Sequence, residues 1–125
     1  MPVEISQPAR MAGNTFTTVC SDIDNDGDAD LYSAEIRHEW AGESADATQL
    51  LLNDGTGHFD RVDNDTNGLA RERRGDWNEG DIHAAFFDFD NDGWKDIVLG
   101  SSDYEDTQVR LWRQTSAGQF EEVSH

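Results

Sequence analysis

The chain has 125 residues, enough for one ordinary domain, and carries 27 Asp and Glu against 9 Lys and Arg, a formal net charge of −18. That charge repels DNA, RNA and anionic lipid and so excludes them as partners, and no apolar run approaches the roughly 18 residues a bilayer span needs. Hydrophobic residues make up only 35%, yet the 12 aromatics, four of them Trp, and acids clustered at fixed spacings argue for a folded chain that needs cations rather than for disorder.

In chain order, residues 1–14 form an N-terminal extension with neither the basic start nor the apolar stretch of a signal peptide. Four strands are predicted next, at Thr15–Ser21, Ala29–Ile36, Gln49–Asn53 and His58–Asp63. The turn Asn53-Asp54-Gly55-Thr56-Gly57 is a strong hairpin signal, since positive φ favours Asn and Gly. The lone Cys20 excludes an intrachain disulfide and reads as a buried small hydrophobe rather than a reactive thiol. Residues 64–81 form a polar connector with little regular structure and the basic cluster Arg71, Arg73 and Arg74. Its acidic opening, Asp63–Gly68, reads as a turn, because a cation, Arg71, stands where a metal loop would need an acid. Four more strands follow at Ile82–Phe87, Lys95–Gly100, Gln108–Gln114 and Gln119–Ser124.

These eight strands are two copies of one unit, residues 15–63 and 82–125. In each, an apolar run leads into D-x-D-N-D-G-x-x-D and directly into another apolar run. Asp22 and Asp88 are 66 positions apart, whereas Phe59 and Phe120 in the hairpins are 61 apart. The difference of five falls in the polar stretch Arg37–Thr48, as a loop insertion should.

The aspartate loops carry the chemistry. Calcium takes six to eight oxygens at about 2.3–2.6 Å, and a curled loop of alternating acids with glycine at its sixth position supplies them. The first loop offers Asp22, Asp24, Asp26 and Asp30 at positions 1, 3, 5 and 9, with Gly27 at position 6 and the carbonyl of Asp28 at position 7. The second repeats this with Asp88, Asp90, Asp92 and Asp96, Gly93 and the carbonyl of Trp94. Two ions of Ca2+ per chain are expected; magnesium demands a tighter octahedron and keeps its waters. An EF-hand is excluded, since position 12 is Ser33 in one loop and Leu99 in the other, both in strand-like sequence.

The motifs DIDNDGDADL, DFDNDGWKDI and NDGTGHF resemble the FG-GAP/VCBS repeats of integrin-α-type β-propellers; QTSAGQF is a degenerate form of the hairpin. The resemblance covers about residues 15–63 and 82–124. It implies an all-β fold of two four-stranded antiparallel propeller blades, each with its calcium loop between the first two strands. A propeller needs four to eight blades, so the resemblance also implies further blades of a longer chain or assembly of several copies. The leading function is a non-enzymatic structural or binding platform with a protein or glycan partner. High-calcium surroundings are expected for such loops, hence an extracellular, periplasmic or cell-surface place, with any signal elsewhere in a longer precursor.

Two other readings stay open. A hydrolytic enzyme would use the constellation Trp77–His83, where Glu79 and Asp81 lie near His83, although neighbouring strand residues point to opposite faces. A carbohydrate-binding module would use Trp40, Trp77, Trp94 and Trp112, of which Trp94 and Trp112 read as packing between blades and Trp40 as an exposed contact.

Overall fold

The computed structural model describes residues 4–5, 15–37, 48–70, 79–101 and 109–123. Among them are β1 (Glu4–Ile5), β2 (Thr15–Ser21), β3 (Asp30–Arg37), β4 (Gln49–Asn53), β5 (His58–Arg61), the single helical turn α1 (Asn64–Asn67), β6 (Glu79–Phe87), β7 (Asp96–Ser101), β8 (Arg110–Ser116) and β9 (Gln119–Glu122). All eight predicted strands are present, shifted by a few residues at their ends.

Each repeat is an antiparallel meander, β2–β3–β4–β5 and then β6–β7–β8–β9. The registers coincide: Leu31 faces Leu51 in the first repeat as Ile97 faces Trp112 in the second. Even the irregularity is repeated, with a register shift between Thr15 and Thr17 in one copy and between Asp81 and His83 in the other. Such bulges re-aim side chains. The last residues of β3 pair with the start of β6, Ile36 with Gly80 and Arg37 with Glu79, so the repeats join into one curled sheet. Strand β1 pairs parallel to β5 and covers that edge of the first repeat, which the sequence did not foretell.

One core lies between the repeats. Tyr32, Ala34 and Leu50 from the first meet Ile97, Leu99, Trp112 and Phe120 from the second, with Ile23 and Leu69 completing the cluster. Tyr32 and Phe86 bring their rings to 6.1 Å at 59°. Each aliphatic side chain buried here contributes roughly 2 kcal/mol. Trp112 is buried, in line with its reading as packing.

The connector is more ordered than expected at its start. Asp63 caps α1 by accepting from the Asp65 N–H (2.9 Å), and Gly68 ends it with φ 86°. A Cβ on Gly68 would lie 1.9 Å from the Phe120 carbonyl oxygen, so this position needs glycine for space as well as conformation. The close approach delivers Leu69 into the core. Arg71, Arg73 and Arg74 lie outside the described residues.

One expectation needs correction. Cys20 is exposed, not buried. It occupies the place that Phe86 holds in the second repeat, and Phe86 is covered because it points at the first repeat. Cys20 holds the equivalent position on the side of the first repeat that faces away from the second, where no described repeat covers it. Phe87 is likewise 44% exposed, and Val98 is half-buried.

Candidate metal centre

The two aspartate loops sit where β2 turns into β3 and β6 into β7. Each is held open by its own first aspartate. Asp22 accepts from the N–H groups of Asp26 (3.1 Å) and Gly27 (2.9 Å); Asp88 accepts from Asp92 (3.1 Å) and Gly93 (2.8 Å). The loop conformation is left-handed at Asn25 (φ 60°) and Gly27 (φ 94°), and again at Asn91 (φ 58°) and Gly93 (φ 91°). A Cβ on Gly27 or Gly93 would meet nothing within 4 Å, so glycine is needed for its backbone freedom, not for room.

The ninth positions act as anchors. Asp30 is fully buried and accepts from the Ile23 N–H (3.0 Å) and, across the sheet, from the Asn53 N–H of β4 (2.9 Å). Asp96 does the same with Phe89 (3.1 Å) and with Gln114 of β8 (2.8 Å). Each thus clamps its loop to the third strand of its own repeat. Asn53 and Gln114 then cap the hairpins, accepting from Gly57 (3.3 Å) and Gly118 (2.8 Å) respectively.

In the first loop, oxygens of Asp22, Asp24, Asp26 and Asp30 lie within 4.8 Å of one another. In the second, Asp88, Asp90 and Asp92 gather in the same way without Asp96. Asp28 and Trp94 hold the seventh positions, and their N–H groups donate to Asp26 and Asp92 (2.9 Å each). Electrostatics mark the crowding. Burial, with the charges of Asp30 and Asp26, pushes the Asp24 carboxyl up to about 6. Burial also raises Asp30 and Asp96. Asp22 and Asp88 go the other way: desolvation opposes, but their loop N–H bonds hold them below the ordinary carboxylate range.

The loops lie side by side. Asn25 Nδ2 donates to the Gly93 carbonyl (3.1 Å), Lys95 Nζ to the Asp22 carbonyl (3.1 Å), and Gln114 Nε2 to the Ile23 carbonyl (2.8 Å). None of these was legible beforehand, because the partners are 68 to 91 positions apart. The second loop also has a cation at its rim. Arg113 Nε donates to Asp90 Oδ2 (2.8 Å), and its other nitrogens lie 3.7 Å from Asp92 and from Glu121. The Asp90 hydrogen bond and charge raise the guanidinium pKa further, keeping it charged.

A second acidic group joins Asp81, read in the sequence as a neighbour of His83, to Glu35, which the sequence did not single out. Glu35 and Asp81 are buried near the β3–β6 junction. Thr15 (2.6 Å) and Ser33 (2.7 Å) donate to Glu35, whose N–H donates to Thr48 Oγ1 (3.0 Å), and Thr48 donates to Asp81. His83 is exposed, so the repeated bulge sends Asp81 inward and the imidazole outward. Trp40 and Trp77 lie outside the described residues, and Trp94 is half-buried.

Two tandem β-meanders, each with an acidic loop between its first two strands, define an all-β repeat protein whose units are like propeller blades. The family model described as FG-GAP-like repeat matches residues 22–99 and 88–125, and the chain belongs to that family. No curated protein and no solved structure matches it.

Proposed function

We propose that the chain is a calcium-stabilised section of a β-propeller-type assembly that serves as a structural or binding platform rather than an enzyme. One observation carries the calcium reading. Asp24 Oδ1 is buried without a hydrogen-bond partner amid the carboxylates of Asp22, Asp26 and Asp30. An orphaned anionic oxygen in a ring of acids is costly unless a cation faces it. Asp22, Asp24, Asp26 and Asp30 would hold one ion with the Asp28 carbonyl; Asp88, Asp90, Asp92 and Asp96 would hold another with that of Trp94. When bound, calcium supplies the positive charge these loops lack.

Several features support a platform. The loops stand at strand turns and are cross-linked to each other, so charge balance there stiffens the junction of the repeats. The faces left by stacking favour more blades on either side, from the same polypeptide or from other copies. Asp81 and His83 point apart, which counts against paired acid–base work, and buried Trp112 offers no face to a sugar. No helix among the described residues is long and apolar enough to cross a membrane. The family and the calcium requirement favour an extracellular or surface setting, with a protein or glycan as the partner.

Thermal unfolding with calcium and with a chelator tests the proposal. A ligand bound only by the folded form raises stability by about 2.7 kcal/mol at a hundredfold excess over its Kd. The midpoint is expected to drop by several degrees with chelator. An unchanged midpoint would refute structural calcium.

A further inference from the structure

The two loops match in motif but not in surroundings, and one side chain makes the largest difference at their carboxylates. Arg113 of β8 occupies the place that Leu52 of β4 holds in the first repeat: Trp112 faces Ile97 as Leu51 faces Leu31, and each is followed by the residue in question. Leu52 packs against the core. Arg113 instead reaches the third and fifth positions of the second loop, Asp90 and Asp92, with Glu121 on its other flank. The first loop also has a cation near it, and against desolvation the charge of Lys95 helps the loop N–H bonds to lower the Asp22 pKa. The Lys95 hydrogen bond, however, goes to the Asp22 backbone carbonyl rather than to a carboxylate.

Resting on the calcium reading above, we infer that Arg113 is a built-in competitor for the second site, so that the loops fill in order: the first at low calcium, the second only at higher calcium. The reasoning is electrostatic. A divalent ion entering the second loop must take Asp90 from a hydrogen bond of 2.8 Å and then sit beside a fixed positive charge. At a separation of about 6 Å in a water-like medium, that repulsion lowers affinity on the order of tenfold. A guanidinium satisfies carboxylates through several N–H groups at once, so it stands in for part of the ion's charge without completing its coordination. The first loop has no such substitute for its orphaned Asp24 oxygen, and its four acids gain most from a metal.

Site-resolved calcium titration of the whole chain by amide NMR separates the loops. The Gly27 N–H bonds Asp22 and the Gly93 N–H bonds Asp88, so each amide reports its own loop. The expected result is that Gly27 saturates at about tenfold lower calcium than Gly93. Arg113→Leu, which copies the first repeat, brings the two curves together by tightening the second site about tenfold, an effect that shrinks in high salt. Arg113→Lys keeps most of the difference. Leu52→Arg is the reciprocal change and weakens the first site. Equal curves in the unaltered protein, or an unmoved Gly93 curve in Arg113→Leu, would overturn the inference. If neither amide responds to calcium, the calcium reading itself falls and this inference with it.

Discussion

Ile23 and Phe89 hold the same position, the second residue of each aspartate loop, yet Ile23 is fully buried and Phe89 is 39% exposed. Ile23 is covered because the second repeat lies over it and Gln114 takes its carbonyl. Phe89, with Phe87 beside it at a ring separation of 6.2 Å, has the same inclination and no repeat beyond it among the described residues. The contrast extends along the strands. Val19 packs on the core while its counterpart Ala85 is exposed; Phe86 packs on the core while its counterpart Cys20 is exposed. Each repeat therefore has a giving face and a receiving face, and one pair of the four is joined. Burial here follows a residue's place in the stack as much as its place in the motif.

The largest effect that would sharpen this comparison is at the anchors. Asp30→Ala leaves the N–H groups of Ile23 and Asn53 without their acceptor at a buried point, at a cost of about 4 kcal/mol. Chemical denaturation at fixed calcium measures it. Asp96→Ala should cost nearly as much, since the clamp is repeated; a difference above roughly 2 kcal/mol would show that the repeats are not energetically alike at this position.

Next comes the contrasting pair itself. Ile23→Ala opens a cavity in the shared core and is expected to lose about 3 kcal/mol, whereas Phe89→Ala should lose under about 1 kcal/mol in the same denaturant series. Equal losses would break the giving-and-receiving scheme.

A third prediction separates the loops by proton rather than by packing. The Asp24 carboxyl is raised from 3.8 to about 6, so the folded, metal-free chain binds a proton that the unfolded chain has released. The stability this contributes is present below about pH 4 and is lost as pH rises through 6, on the order of 2 kcal/mol in all. Raised Asp30 acts in the same sense, and the lowered Asp22, Asp54 and Asp88 act oppositely only at lower pH. Chelator-treated protein should therefore melt at a lower temperature at pH 7 than at pH 4.5. Asp24→Asn should flatten that profile. A midpoint that climbs steadily from pH 4.5 to 7 would contradict the crowding of the first loop.

The smallest expected effect is on association. Light scattering in millimolar calcium should find species above the monomer mass of 14.0 kDa, and a Phe87→Ser, Phe89→Ser double substitution should shift the distribution toward that mass with little loss of folded stability. A wholly monomeric chain with both phenylalanines intact would mean that the exposed face is not used between copies.

Short-range chemistry was legible in the sequence. Alternating aspartates, a glycine at the sixth position and an apolar run on either side act within nine residues, so the loops, the eight strands and the repeat could be read directly. The hairpin glycines were equally local: Gly55 and Gly57 take φ of 93° and 88° as their motif requires. Tertiary structure decided everything that depends on which residues meet beyond the span of a single loop or hairpin. That Arg113 reaches Asp90 follows from the register of β8, and that Asn25 bonds Gly93 follows from the stacking of the loops. Strand β1 on the β5 edge and the buried Glu35–Thr48–Asp81 chain belong to the same group. Cys20 shows the limit most simply. Its type and its strand pointed to burial, but hydrophobic surface is removed from water only by a neighbour, and the stack places that neighbour on the other face.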